Sequence, residues 1–252
     1  MSFELTGFNR APYLDLPSGY FGYALFGIYA LLTLLALAFN LRDFGKLSAA
    51  RWLSFLALGA AGAALAQTLV VRFPANLLPL LGLVPAFLAG GWFGVGPAIV
   101  VGLLTGLARA VWETNSIITP LEFGLLAGVV AWFAQQDYRG LPARLVRHPM
   151  AVGLLAGLAL WPVLYLSYFA YSAATGLTGL DYVNSLVRAA APVFIGQAAI
   201  AGITAELVRL GAPRTWPIRR GSQPPPYVSS LNRKLLFTLI PLFVVGIGLL
   251  FW

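Results

Sequence analysis

The chain has 252 residues, of which 60% are hydrophobic and 10% charged, with a mean hydropathy of +0.84. Soluble domains carry about 25% charge, so a water-soluble fold is excluded and an all-α, polytopic transmembrane helical bundle is expected. The absence of cysteine excludes disulfides and Cys-ligated zinc, and the net charge of +8 is carried by loops rather than by a nucleic-acid-binding face, so nucleic acid is not an expected partner.

Residues 1–19 are mixed, with Glu4, Arg10 and Asp15, and the first apolar run starts only at Tyr20. A cleaved leader needs a basic start followed at once by an apolar stretch, so this run reads as a retained helix. About eight spans follow from the apolar runs: 20–40, 52–71, 78–93, 96–113, 118–134, 150–172, 186–208 and 235–252. The third is short and holds Pro79 and Pro85, which leaves a kinked or re-entrant segment as the alternative to a full crossing. Residues 1–51 form an N-terminal tail and first helix, 52–210 a six-helix core, 211–234 a basic Pro-rich linker and 235–252 a last helix.

Three connections carry twelve of the sixteen Lys and Arg residues: Arg42, Lys46 and Arg51; Arg139, Arg144 and Arg147; and Arg209, Arg214, Arg219, Arg220, Arg233 and Lys234. Lys and Arg concentrate in cytoplasmic loops. An eight-span path with both termini extracytoplasmic puts all three connections inside; a seven-span path lacking 78–93 does not. The expected location is the inner (cytoplasmic) membrane of a bacterium, with the lipid bilayer as the obligatory partner.

Gly102-x-x-x-Gly106, Gly124-x-x-x-Gly128 and Gly153-x-x-x-Gly157 are faces that let helix backbones approach closely, and they would equally permit a homodimer. The run Ala89–Pro97, AGGWFGVGP, lacks the Lys-Ser/Thr of a phosphate-binding loop and the GxGxxG spacing. It reads as a tight turn between the third and fourth spans, with Pro97 suited to a first helical turn. His148 is the single histidine and has no carboxylate near it in sequence. No nucleophile motif, intramembrane Asp pair or HExxH is present, so no enzyme, metal site or cofactor is expected, and any catalytic domain would lie outside this chain.

The polar residues of the apolar core are few. Arg109 and Glu113 lie four apart on one helix face, and Glu122 sits near the start of the fifth span. With both termini outside, these three, Arg188, Trp112, Asn115, Asp181, Tyr182, Asn184, Tyr165, Tyr168 and Tyr171 belong to the extracytoplasmic end. Two readings stand. One is a structural ion-pair cluster with an interfacial tyrosine belt. The other is an outward-facing pocket for a small ligand, with Arg109 as anion anchor and Trp112, Glu113, Asn115, Glu122, Tyr168 and Arg188 around it. Gln67 and Gln197 are expected to hydrogen-bond between helices. Glu206 and Arg209 read as interfacial charges.

The block Val84–Arg109, VPAFLAGGWFGVGPAIVVGLLTGLAR, resembles the Gly-rich helix pair, ending in arginine, of the multi-spanning receptor modules of LytS-type sensor kinases. Those modules are themselves similar to the substrate-binding S components of energy-coupling-factor transporters. The likeness covers spans two to seven. The family's Asn-x-Arg motif is met only by its arginine, since Leu107 stands at the Asn position. Ser230–Leu242, SLNRKLLFTLIPL, resembles the first membrane helix of bacterial sensor kinases and cyclases. The resemblance implies the N-terminal membrane part of a longer receptor. Ala57/Ala61 and Ala60/Ala64 match the spacing by which S components dock a partner. Three functions are therefore carried forward: a signal-transduction input module, a transporter substrate-binding subunit and a structural membrane protein.

Overall fold

The computed structural model describes residues 13–68, 70–72, 77–137, 140–172, 176–213 and 215–216. The N-terminal tail up to residue 12, most of the expected linker and the expected last helix 235–252 lie outside the described residues. Eight α-helices are present among them: α1 (Gly19–Phe39), α2 (Ala49–Leu65), α3 (Val84–Trp92), α4 (Val95–Arg109), α5 (Ile118–Gln135), α6 (Leu141–Val146), α7 (Pro149–Tyr171) and α8 (Gly176–Gly211). A 3-10 helix, Leu41–Lys46, joins α1 to α2, and a π-helical turn, Ala110–Thr114, extends α4. Five of the described helical segments are long and apolar enough to cross a membrane: Gly19–Phe39, Val95–Thr114, Ile118–Gln135, Pro149–Tyr171 and Thr178–Gly211. This is the build of a multi-pass membrane protein.

The expected second and third spans are corrected. The second ends at Leu65 instead of residue 71, and the third is not one helix over 78–93. Between them lies an antiparallel hairpin, β1 (Val70–Arg72) and β2 (Leu77–Pro79), in the register Val70↔Pro79, Val71↔Leu78, Arg72↔Leu77. The strictly all-helical expectation thus has one small exception. Val70 and Val71 are β-branched and favour the pleated strand. Pro79 holds Leu78 extended, and Pro85 fits only the first turn of α3. Nine residues of helix rise about 14 Å, half a hydrocarbon core, so α3 by itself is too short to cross one.

The path is nevertheless regular. α2 and α4 rise side by side: Gly59 lies against Leu104, Gly62 against Thr105, and Gln67 Nε2 donates to Ala108 O at 2.5 Å. α3 descends alongside, packed on α2, α4 and α5. At one end, Asp43 Oδ2 accepts from Val95 N–H at 3.0 Å and so caps α4 from the neighbouring turn, while Asp43 Oδ1 pairs with Lys46 Nζ at 3.0 Å. Gly94 at that junction has φ +119 and no room for a side chain beside Asp43, a position that requires glycine. At the other end Ser18 N–H donates to Ala170 O, and Asp15 N–H to Asn115 O at 2.6 Å. α1 packs against α5 and α7, so residues 13–51 are continuous with the bundle.

The glycine faces pack as close-approach surfaces. A Cβ on Gly102 would lie 2.6 Å from Phe123 O, and on Gly106 2.7 Å from Pro120 Cα, which fixes α4 on α5. Gly153 meets Ala198 O and Gly202 meets Pro149 O, which fixes α7 on α8. α8 starts ten residues before the expected boundary at 186, and its 36 residues run about 54 Å. The helix continues through Asp181 and Arg188, whose charges end the apolar run but not the helical pattern.

Candidate functional site

Arg109 ends α4 where the helix widens into the π-helical turn, an irregularity frequent at functional sites. Its side chain is 4% exposed. Nη1 donates to Gln197 Oε1 on α8 at 2.6 Å, and Nη2 donates to Glu113 Oε1 at 3.0 Å. The guanidinium carbon lies 4.9 Å from the Phe194 ring centre and 5.7 Å from that of Phe123, both within cation–π range. Gln197 is fully buried, and its Nε2 donates to Pro79 O at 3.0 Å. One glutamine thus ties α4, α8 and the hairpin together. Its position fits the helix lengths: Arg109 and Gln197 each lie about 21 Å along their helices from the Asp43 end.

Beside Arg109 is a cavity of about 260 Å³, lined by Arg109, Glu113, Thr114, Tyr168, Ala190, Val193 and Phe194. Of the sequence-expected ligand residues, Arg109, Glu113 and Tyr168 meet there. The other four are placed elsewhere. Glu122 is buried on α5 and accepts from Ser167 Oγ on α7, which lies 3.4 Å from Tyr29 Oη on α1. Asn115 adopts the left-handed conformation at φ 54 and donates to Tyr13 Oη at 2.9 Å, so it holds the N-terminal segment. Trp112 is half-buried on the π-helical turn, and Arg188 is exposed on α8. The polar residues expected at one depth therefore divide between the α4–α7–α8 junction and the α1–α5–α7 junction. Tyr165 Oη donates to Asn184 Oδ1 at 2.6 Å and clamps α7 to α8.

Ala190, Val193, Phe194 and Gln197 were not among the expected ligand residues. They follow the i, i+3, i+4, i+7 pattern of one α8 face, and the one polar member, Gln197, was the available signal. His148, which has no carboxylate near it in sequence, and Arg209, expected as an interfacial charge, both meet Glu206 at the opposite end of the bundle: His148 Nδ1 lies 3.1 Å from Glu206 Oε1, which Arg209 also pairs with.

No protein-family model matches the sequence, and neither a curated protein nor a solved structure is significantly similar to it.

Proposed function

We propose that this bundle is the membrane-embedded input module of a bacterial signal-transduction receptor, which binds a small ligand at the extracytoplasmic mouth. The observation that carries the reading is Arg109. A guanidinium has five N–H donors; two are engaged here, and Nε–H is buried without a partner. A charged side chain at membrane depth is costly and is a functional-site candidate by default, and this one borders a cavity. A purely structural ion pair has no use for the cavity or for the unspent donors.

Orientation rests on charge. Arg42, Lys46, Arg51, Arg144, Arg147 and Arg209 belong to the end that holds Asp43 and His148, so that end faces the cytoplasm and the cavity faces outward. About eight spans with both termini outside complete the topology in the cytoplasmic membrane.

Ligand binding has a mechanical route onward. The cavity lies between α4, α7 and α8, and α8 leads into Trp216, which is 5% exposed and packs its ring on Gly91 of α3. A ligand with different affinity for two packings of α8 shifts their populations and moves this joint. A second reading, capture subunit of a transporter, is favoured by the exposed Ala57, Ala60 and Ala64 on α2.

The test is a thermal-stability screen of purified protein against neutral, anionic, cationic and zwitterionic metabolites. At least one compound is expected to raise the Tm of the wild type and to leave Arg109→Lys unmoved, because lysine keeps the charge but not the planar fork. No stabilising compound, together with an Arg109→Lys variant that is merely less stable, would return the cluster to a structural role.

A further inference from the structure

The cavity's open polar groups have a definite order, and that order selects a class of ligand. This step rests on the receptor reading given above. The Arg109 guanidinium carbon lies over the rings of Phe194 and Phe123, which close those sides, so an incoming group meets the remaining N–H donors. Tyr168, from α7, lines the same cavity, and its hydroxyl has no hydrogen-bond partner among the described residues. Glu113 spends Oε1 on Arg109, and no described residue bonds its Oε2. Its side chain is 30% exposed, on the open side. The lining from α8 is apolar: Ala190, Val193 and Phe194. The Thr114 hydroxyl is already paired with Thr119 Oγ1 at 2.8 Å.

The cavity therefore offers guanidinium donors, a carboxylate acceptor paired beside them at 3.0 Å, and an apolar surface from α8. Its two charges sum to zero. A monoanion at Arg109 would sit close to the Glu113 carboxylate, and a monocation at Glu113 close to the guanidinium; like charges that near each other in a desolvated site oppose binding. A ligand carrying both signs meets each charge with its complement and leaves the site neutral. Size agrees. A volume of about 260 Å³ is roughly nine water molecules' share of the liquid, below the usual range for drug-sized ligands.

We propose that the ligand is a small zwitterion of the α-amino acid class, with its carboxylate on Arg109 and Tyr168, its ammonium on Glu113 and an apolar side chain against Phe194 and Val193.

The test uses the full chain in lipid nanodiscs and equilibrium binding of six probes. These are leucine and phenylalanine, their decarboxylated amines isoamylamine and 2-phenylethylamine, and their deaminated acids 4-methylpentanoate and 3-phenylpropanoate. At least one amino acid is expected to bind tenfold or more tighter than both of its single-charge counterparts. Glu113→Gln should erase its advantage over the acid while leaving the acid's own binding equal or stronger. An acid that binds the wild type as tightly as its amino acid overturns the zwitterion and leaves a monoanion receptor. Binding of none of the six to folded protein overturns it as well, and the receptor reading then stands or falls on the broader screen. Because the decisive comparison is among ligands of the wild type, it does not depend on a variant that folds poorly.

Discussion

Gln197→Met removes the bridge between α4, α8 and the hairpin while keeping the length of the side chain. Two bonds are lost. The one from Arg109 Nη1, at 2.6 Å, is charge-assisted and worth about 1.5–3 kcal/mol. The one to Pro79 O, at 3.0 Å, contributes about 0.6 kcal/mol, the mean for hydrogen bonds between membrane helices. The sum is about 2–4 kcal/mol. At about 2–4 °C per kcal/mol for a chain of this length, the Tm in detergent should fall by roughly 5–15 °C. Arg109→Met and the double variant complete a cycle. In each single variant the remaining partner is left without this bond, and in the double variant neither partner remains, so the two losses should fall short of additivity by about 1.5–3 kcal/mol. A Gln197→Met protein that melts within about 1 °C of the wild type, or a cycle that is additive, would refute the bridge.

Three further outcomes are expected. Gly102→Ala forces a Cβ to within 2.6 Å of Phe123 O and should destabilise the bundle by about 1–3 kcal/mol, whereas Gly27→Ala, with nothing within 4 Å, should change it little; both are read from thermal melts. Asp43→Ala removes the cap on Val95 N–H and should cost about 1 kcal/mol, with Asp43→Asn retaining part of it because its amide oxygen still accepts. Gly91→Ala places a Cβ inside the Trp216 ring; the ring must leave, and the emission difference between this variant and its Trp216→Phe counterpart should shift to the red.

Much of the helical layout was legible because length and apolarity decide it. Gly19–Phe39, Ile118–Gln135 and Pro149–Tyr171 fall within about a residue of their apolar runs. The hairpin was not legible, since two three-residue strands leave little periodicity, and Val70, Val71 and Pro79 signal them only through local backbone preference. The start of α8 was missed for a different reason: Asp181, Asn184 and Arg188 lower the hydropathy of residues that remain helical. Within the site, Arg109 and Glu113 were legible from i, i+4 spacing. Phe194 and Val193 were not, because apolar residues that line a cavity look in sequence like apolar residues that face lipid. Glu122 could not be separated from Arg109 by depth alone; the side of the helix decides, and that depends on which neighbour α5 turns toward.

The chain has no cysteine, so Ala190→Cys would carry its only thiol, and Ala190 lines the cavity half-buried. The most direct test of an outward-facing ligand site is labelling of that thiol in intact cells by a small membrane-impermeant methanethiosulfonate. The account predicts labelling from outside, and slower labelling when a compound that stabilises the wild type is present. A thiol that reacts only after the cytoplasmic side is exposed, or from neither side, would contradict it.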